Sequence, residues 1–191
     1  MRMLENLILA SGSPRRRELL TLMGVSFEIC AVDVDENLAG DPAWVVSQLA
    51  LRKARAAYEL NPHRTVLAAD TLVHKDGQTL GKPCDEVDAL RMLRWLSGGE
   101  NIVYTGVCVI DGNTGKEDVR CDVARVQFVD IDEESALRYI RSGEPMDKAG
   151  AYGVQGMGGM FVSSIEGSPS NVIGLPMHLV RDMLRNIGWK L

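Results

Sequence analysis

The sequence predicts an α/β protein with a mixed, twisted sheet flanked by helices. Two observations carry that expectation. Short apolar runs such as Leu7–Ala10 and Val66–Ala69 read as strands covered on both faces, and they alternate with stretches of helical length. Turn signals at Asp76-Gly77 and Asp111-Gly112-Asn113 join neighbouring strand-like runs as hairpins. Hairpins interrupt a βαβ rhythm and call for a mixed sheet.

Taken in order, Leu7–Ala10 is the first strand. A helix over Pro14–Met23 follows, with Ser13 at the N-cap, Pro14 at the first helical position and Gly24 as the stop. Phe27–Val32 is a second strand leading into the acidic loop Asp33–Glu36. Asp41-Pro42 opens a long helix to Leu60. The strand from Val66 continues toward a hairpin at Lys75–Gln78. Asp85 caps a helix that stops at Ser97-Gly98-Gly99. Two long β-rich runs, Ile102–Ile110 and Val119–Val129, come next, and Asp132–Arg141 is a capped helix with Gly143 behind it. A strand near Phe161–Ile165 and a last helix opening at Pro176 complete the pattern.

A chain of 191 residues with 46% hydrophobic content suits one domain over 1–191 with a sizeable core. Its net charge of −5 argues against a general binder of nucleic acid or membrane surface, so any anion site must be assembled locally. Cys30, Cys84, Cys108 and Cys121 show no C-x-x-C spacing, and His63, His74 and His178 are scattered. Residues 1–10 are too short an apolar run for a signal peptide, and no stretch is suited to spanning a bilayer. The expected compartment is the cytoplasm.

The stretch "SGSPRRRELL" sets Ser11, Gly12 and Ser13 in a tight turn at a helix start, followed by Arg15, Arg16 and Arg17. A helix N-terminus offers N–H donors and partial positive charge, and arginine adds bidentate bonds to phosphate oxygens. The plain alternative is a capped helix with a solvated basic first turn. Three basic residues there oppose the helix dipole, and that local conflict favours an anion site. The G-x-x-x-x-G-K-[ST] loop is absent.

Lys53 falls on or beside the apolar stripe Val46, Leu49, Ala50, Ala54, Ala57. Taken alone, it is expected to extend its ammonium to water, with Arg52 and Arg55 pointing elsewhere. Asp70 ends the run Val66–Ala69, where α/β proteins bind ligands. It suits a divalent-cation ligand, a general base or a turn aspartate. Asp33, Asp35 and Glu36 could join it around a metal or form an acidic surface loop. Lys82 in "GKP" is a weak signal by itself. The stretch "DKAGAYGVQGMGG" lets backbone approach a ligand closely, and Gln155 offers both donor and acceptor to a base edge. Tyr152 and Phe161 beside it argue for a packed loop over a flexible one.

Together, "LASGSPRRRELL", "DVDE", "LALRKA", "AADTLV", "GKP", "YTGV", "DKAGAYGVQG" and "GLP" occur in this order over nearly the whole chain. In them the sequence resembles the Maf family of nucleoside triphosphate pyrophosphatases. The resemblance implies a substrate cleft between two lobes, dependence on a divalent cation (Mg²⁺ or Mn²⁺) and, in many members, a homodimer. It implies hydrolysis of a nucleoside triphosphate to the monophosphate and pyrophosphate. By the same resemblance Asp70 is the general base, and Ser13, Arg15, Arg16, Glu36, Lys53 and Lys82 form the polar cluster of the cleft. Asp70 and Glu36 are the metal candidates.

Three matched positions separate branches of the family. Arg15, Thr71 and Gln155 are similar to the branch acting on dTTP and UTP, whereas the branch preferring 7-methyl-GTP carries an aromatic residue, glutamine and glutamate there. A nucleotide-sensing regulator of cell division is a further alternative, but an extra carboxylate at Asp70 is unwelcome beside phosphates that are only held. A nucleic-acid module is disfavoured by the acidic charge.

Overall fold

The computed structural model describes residues 7–191. In chain order the elements are β1 (Leu7–Leu9), α1 (Pro14–Leu22), β2 (Phe27–Ile29), α2 (Pro42–Leu60), β3 (Val66–Lys75), β4 (Gln78–Leu80), α3 (Glu86–Leu96), β5 (Glu100–Ile110), β6 (Glu117–Phe128), α4 (Glu133–Arg141), β7 (Val162–Glu166), α5 (Pro169–Ile173) and α6 (Met177–Asn186). Three 3₁₀ turns, Glu144–Asp147, Ala149–Ala151 and Met157–Phe161, lie between α4 and β7. Seven strands form one sheet in the order β2-β1-β3-β5-β6-β7, with β4 paired to β3. β1 is parallel to β2 and β3, while β3–β4 and β6–β7 are antiparallel, so the sheet is mixed as expected.

Strand lengths follow from their partners. β1 ends at Leu9, so the outer strand β2 has no ladder beyond Cys30, whose N–H donates to Leu9 O at 3.0 Å. The expected extension to Val32 is therefore cut short. β3 runs on to Lys75 and turns back through Asp76 and Gly77, with φ of 48° and 78°. Positive φ at both central residues is what a two-residue type I′ hairpin requires.

The chain divides into two compact units. The first comprises the described residues to Asp70, Thr105–Asp122 and Gly174–Leu191. Its core gathers Ile8, Ala10, Val66, Ala68, Cys108 and Ile110 against Ala50, Ala54 and Ala57 of α2. Those alanines recur at helical spacing and leave no side-chain bulk between α2 and the strands. The helix backbone closely approaches Gly106 in β5, where a Cβ would lie within 2.6 Å of Ser47 N and closer still to the Val46 carbonyl. Both obstacles are backbone and cannot rotate away, which gives "YTGV" its glycine a physical reason. Gly106→Ala is expected to lower stability by about 1–3 kcal/mol or more, read as a lower midpoint in urea at unchanged m-value.

The second unit comprises Thr71–Tyr104 and Val123–Ile173. It packs Val73, Leu93, Leu96, Val126 and Phe128 with Tyr139, Tyr152 and Phe161. Phe128 meets Tyr152 edge-on at 4.7 Å, and Tyr139 meets Phe161 at 5.4 Å. The buried Tyr152 hydroxyl donates to Asn101 Oδ1 at 2.9 Å, so the ring enters this core without an orphaned polar group.

Candidate active site

Helix starts separate α1 from its neighbours. In α2, α3 and α4 an aspartate caps the first turn: Asp41 accepts from Ala43 and Trp44, Asp85 from Asp88, and Asp132 from Ser135. At α1 the N-cap residue is Ser13, as its sequence position predicts, yet its side chain makes no capping bond and the first turn holds no acid. Arg15 and Arg16 stand there instead. The usual anionic complement of a helix start is replaced by cations, so the negative charge must come from outside this turn.

Arg16 is fixed from two sides. Its Nη1 donates to Ser11 Oγ at 3.1 Å and its Nε to Gly174 O at 2.8 Å. Ser11 Oγ also accepts from Ser13 N at 3.3 Å, tying the turn to the guanidinium. Burial draws Arg16 below the ordinary arginine range, with Arg15 acting in the same direction, while the charges of Asp70 and Glu36 oppose the shift. Arg16 thus lies within the electrostatic reach of both carboxylates.

Lys53 corrects the expectation of an ammonium in water. Its side chain is only 14% exposed, and Nζ lies 2.7 Å from Asp70 Oδ1 and 2.7 Å from Glu36 Oε1. The α2 stripe carries it toward the end of β3, where the buried run Val66–Ala69 gives way to Asp70, also 14% exposed. Arg52 and Arg55 do point elsewhere: Arg52 donates to Asp35 O at 2.8 Å, and Arg55 pairs with Glu117. Of the acidic loop, Glu36 reaches Lys53; Asp35 Oδ1 instead accepts from Asn37 N at 2.9 Å, and Asp33 is exposed.

The first unit therefore brings Arg16, Lys53, Glu36 and Asp70 together. Thr71 follows Asp70 on β3 and is half-buried. Lys82 and Gln155 belong to the second unit, and both are exposed. Among the described residues no cluster of three or more His, Cys, Asp or Glu side chains is arranged as a metal site. Asp70 and Glu36 nevertheless suit a hard cation that takes its remaining ligands from phosphate and water, because both already converge on one positive group. The sequence set Ser11 in the turn and Gly174 in "GLP", but it assigned neither the Ser11 hydroxyl nor the Gly174 carbonyl as an anchor of Arg16.

In the second unit the glycine-rich stretch is packed, as its aromatics suggested. Glu144, which no motif singled out, accepts from Met157 N at 2.9 Å and Gly158 N at 3.1 Å. The Tyr139 hydroxyl donates to Glu144 Oε1 at 3.1 Å and accepts from Gly153 N at 3.2 Å. Burial would raise the Glu144 carboxyl, but these donors and the nearby Lys148 leave it below the usual carboxylate range. Burial, and then the charge of Glu144, push the Tyr139 phenol up.

The family model for Maf-like proteins matches residues 6–187. The chain is 44% identical over 190 residues to a dTTP/UTP pyrophosphatase of Pelotomaculum thermopropionicum, covering 98% of this chain and 100% of the relative. It is 46% identical over 187 residues to a dTTP/UTP pyrophosphatase of Thermococcus kodakarensis, covering 97% and 94% respectively. In fold it is similar to the Ham1 protein of Staphylococcus aureus, with a TM-score of 0.53 at 13% identity, over 95% of this chain and 99% of that one. No helix among the described residues is long and apolar enough to cross a membrane.

Proposed function

The chain belongs to the Maf-like protein family, and on that footing we infer that it hydrolyses nucleoside triphosphates, dTTP and UTP foremost, to the monophosphate and pyrophosphate. The observation that supports this most is Lys53, drawn out of water to lie between Asp70 and Glu36 at the end of an apolar strand. A lysine so placed is already desolvated and oriented. Together with Arg16, it is ready to compensate a polyanion. The relatives named above are dTTP/UTP pyrophosphatases, and Arg15, Thr71 and Gln155 are the residues similar to that branch.

In this reading Arg15, Arg16, Lys53 and Lys82 neutralise and orient the phosphates, with Ser13 and the uncapped start of α1 supplying N–H donors. Ser11 and Gly174 hold the Arg16 guanidinium so that little ordering remains to be done on binding. Water attacks phosphorus, the anhydride between the α- and β-phosphates breaks, and pyrophosphate leaves. Asp70 takes the proton from that water as it adds, through an oxygen of a carboxylate that Lys53 holds in place. Gln155 reads the base edge. Asp70 and Glu36 would hold Mg²⁺ or Mn²⁺, which neutralises phosphate charge and acidifies bound water when present.

The reading is checked by initial rates across the common nucleoside triphosphates and 7-methyl-GTP, with each metal and with chelator. It expects the highest kcat/KM for dTTP and UTP and loss of rate on chelation. Preference for 7-methyl-GTP, or no turnover with any metal, contradicts it.

A further inference from the structure

We propose that Glu144 is a positioning residue that fixes Gln155 for recognition of the pyrimidine base, an inference that rests on Gln155 being the base reader. Gln155 lies in the segment Gly153–Gly158, and both ends of that segment are tied to one pair of side chains. At the far end, the Glu144 carboxylate accepts from Met157 N and Gly158 N. At the near end, the Tyr139 hydroxyl accepts from Gly153 N while donating to Glu144. Between them, Gly156 takes φ 86° and ψ −151°, a conformation that L side chains avoid. A Cβ there would also lie 2.7 Å from Glu144 Oε2. The carboxylate therefore fills the space inside the turn and dictates its path.

The upstream arm is held as well. Lys148 Nζ donates to the Glu144 carbonyl and to Asp147 Oδ1, and Gly150 N donates to Gly81 O at 3.0 Å. Gly150 and Ala151 take successive positive φ values of 71° and 58°. A non-glycine residue in the left-handed region persists only where surrounding contacts over-determine it. A loop so constrained fixes the backbone from which its one amide side chain, Gln155, projects. An amide that must match one donor and one acceptor on a base discriminates only when its placement is restricted.

The test uses the full chain. Glu144→Gln turns one acceptor oxygen into an NH₂, which must face either the Met157 N–H or the donors on Oε1, the Gly158 N–H and the Tyr139 hydroxyl. We expect about a tenfold rise in KM for UTP and dTTP, the scale of one lost charged hydrogen bond, with kcat within about threefold. Preference over GTP in kcat/KM should fall, and the Met157 and Gly158 amides should exchange faster. Tyr139→Phe keeps the ring in the core and removes only the bridging hydroxyl, so it should shift KM the same way by less. The double variant Glu144→Gln/Gln155→Ala should discriminate no worse than Gln155→Ala alone. Additive losses, or a fall in kcat at unchanged KM, overturn the proposal. Unchanged discrimination in Gln155→Ala also overturns it. That failure belongs to the base reader and is told apart because amide exchange in Glu144→Gln still accelerates.

Discussion

Asp70→Asn is expected to lower kcat by about 10²–10⁴-fold, the usual cost of losing a positioned general base, while UTP affinity by calorimetry changes little. The asparagine keeps the shape of the side chain and its place at the end of β3. Lys53 retains Glu36 as a charged partner, and Arg16 keeps its bonds to Ser11 and Gly174, so the phosphate-binding groups stay where they are. With affinity compared in chelator, where no metal link to the phosphates is at stake, removing a negative charge beside them gives no reason for weaker binding. Near-wild-type turnover would reduce Asp70 to an anchor for Lys53 and require another base.

Lys53→Met is expected to lower kcat/KM for UTP by about one to two decades, the equivalent of roughly 1.5–3 kcal/mol for a charged hydrogen bond away from bulk water. The methionine continues to cover the alanine stripe of α2, so the far-UV circular dichroism should be unchanged. The charge it removes sits between two carboxylates, and Asp70 and Glu36 are then left facing a polyanion without their shared counter-ion. Unchanged kinetics would mean that Lys53 serves only to neutralise those carboxylates.

The parts of this site legible in the sequence were those marked by local contradiction. A carboxylate ending the apolar run Val66–Ala69 and arginines opening a helix both break a local rule, and both fall in the cluster. Lys53 was not legible from its own surroundings. Helical spacing places it at the edge of the stripe, but only the approach of β3 and the acidic loop decides that its ammonium meets carboxylates and not water. Glu144 was hidden for a different reason. An acid beside Gly143 reads as solvated, and its partners Met157 and Gly158 are 13 and 14 residues away in a stretch whose glycines carry no periodicity. The same glycines hid the three 3₁₀ turns, and α5, five residues long, is too short to show a helical pattern. The mixed sheet itself was legible, because hairpin signals and apolar runs are local properties of the chain.

The most direct measurement of the central claim is the identity of the products. UTP incubated with the protein and Mg²⁺ or Mn²⁺ should yield UMP and pyrophosphate in equal amounts from the first turnovers, with no UDP at any time. Formation of UDP and orthophosphate would place the cleavage at the terminal anhydride and contradict the account.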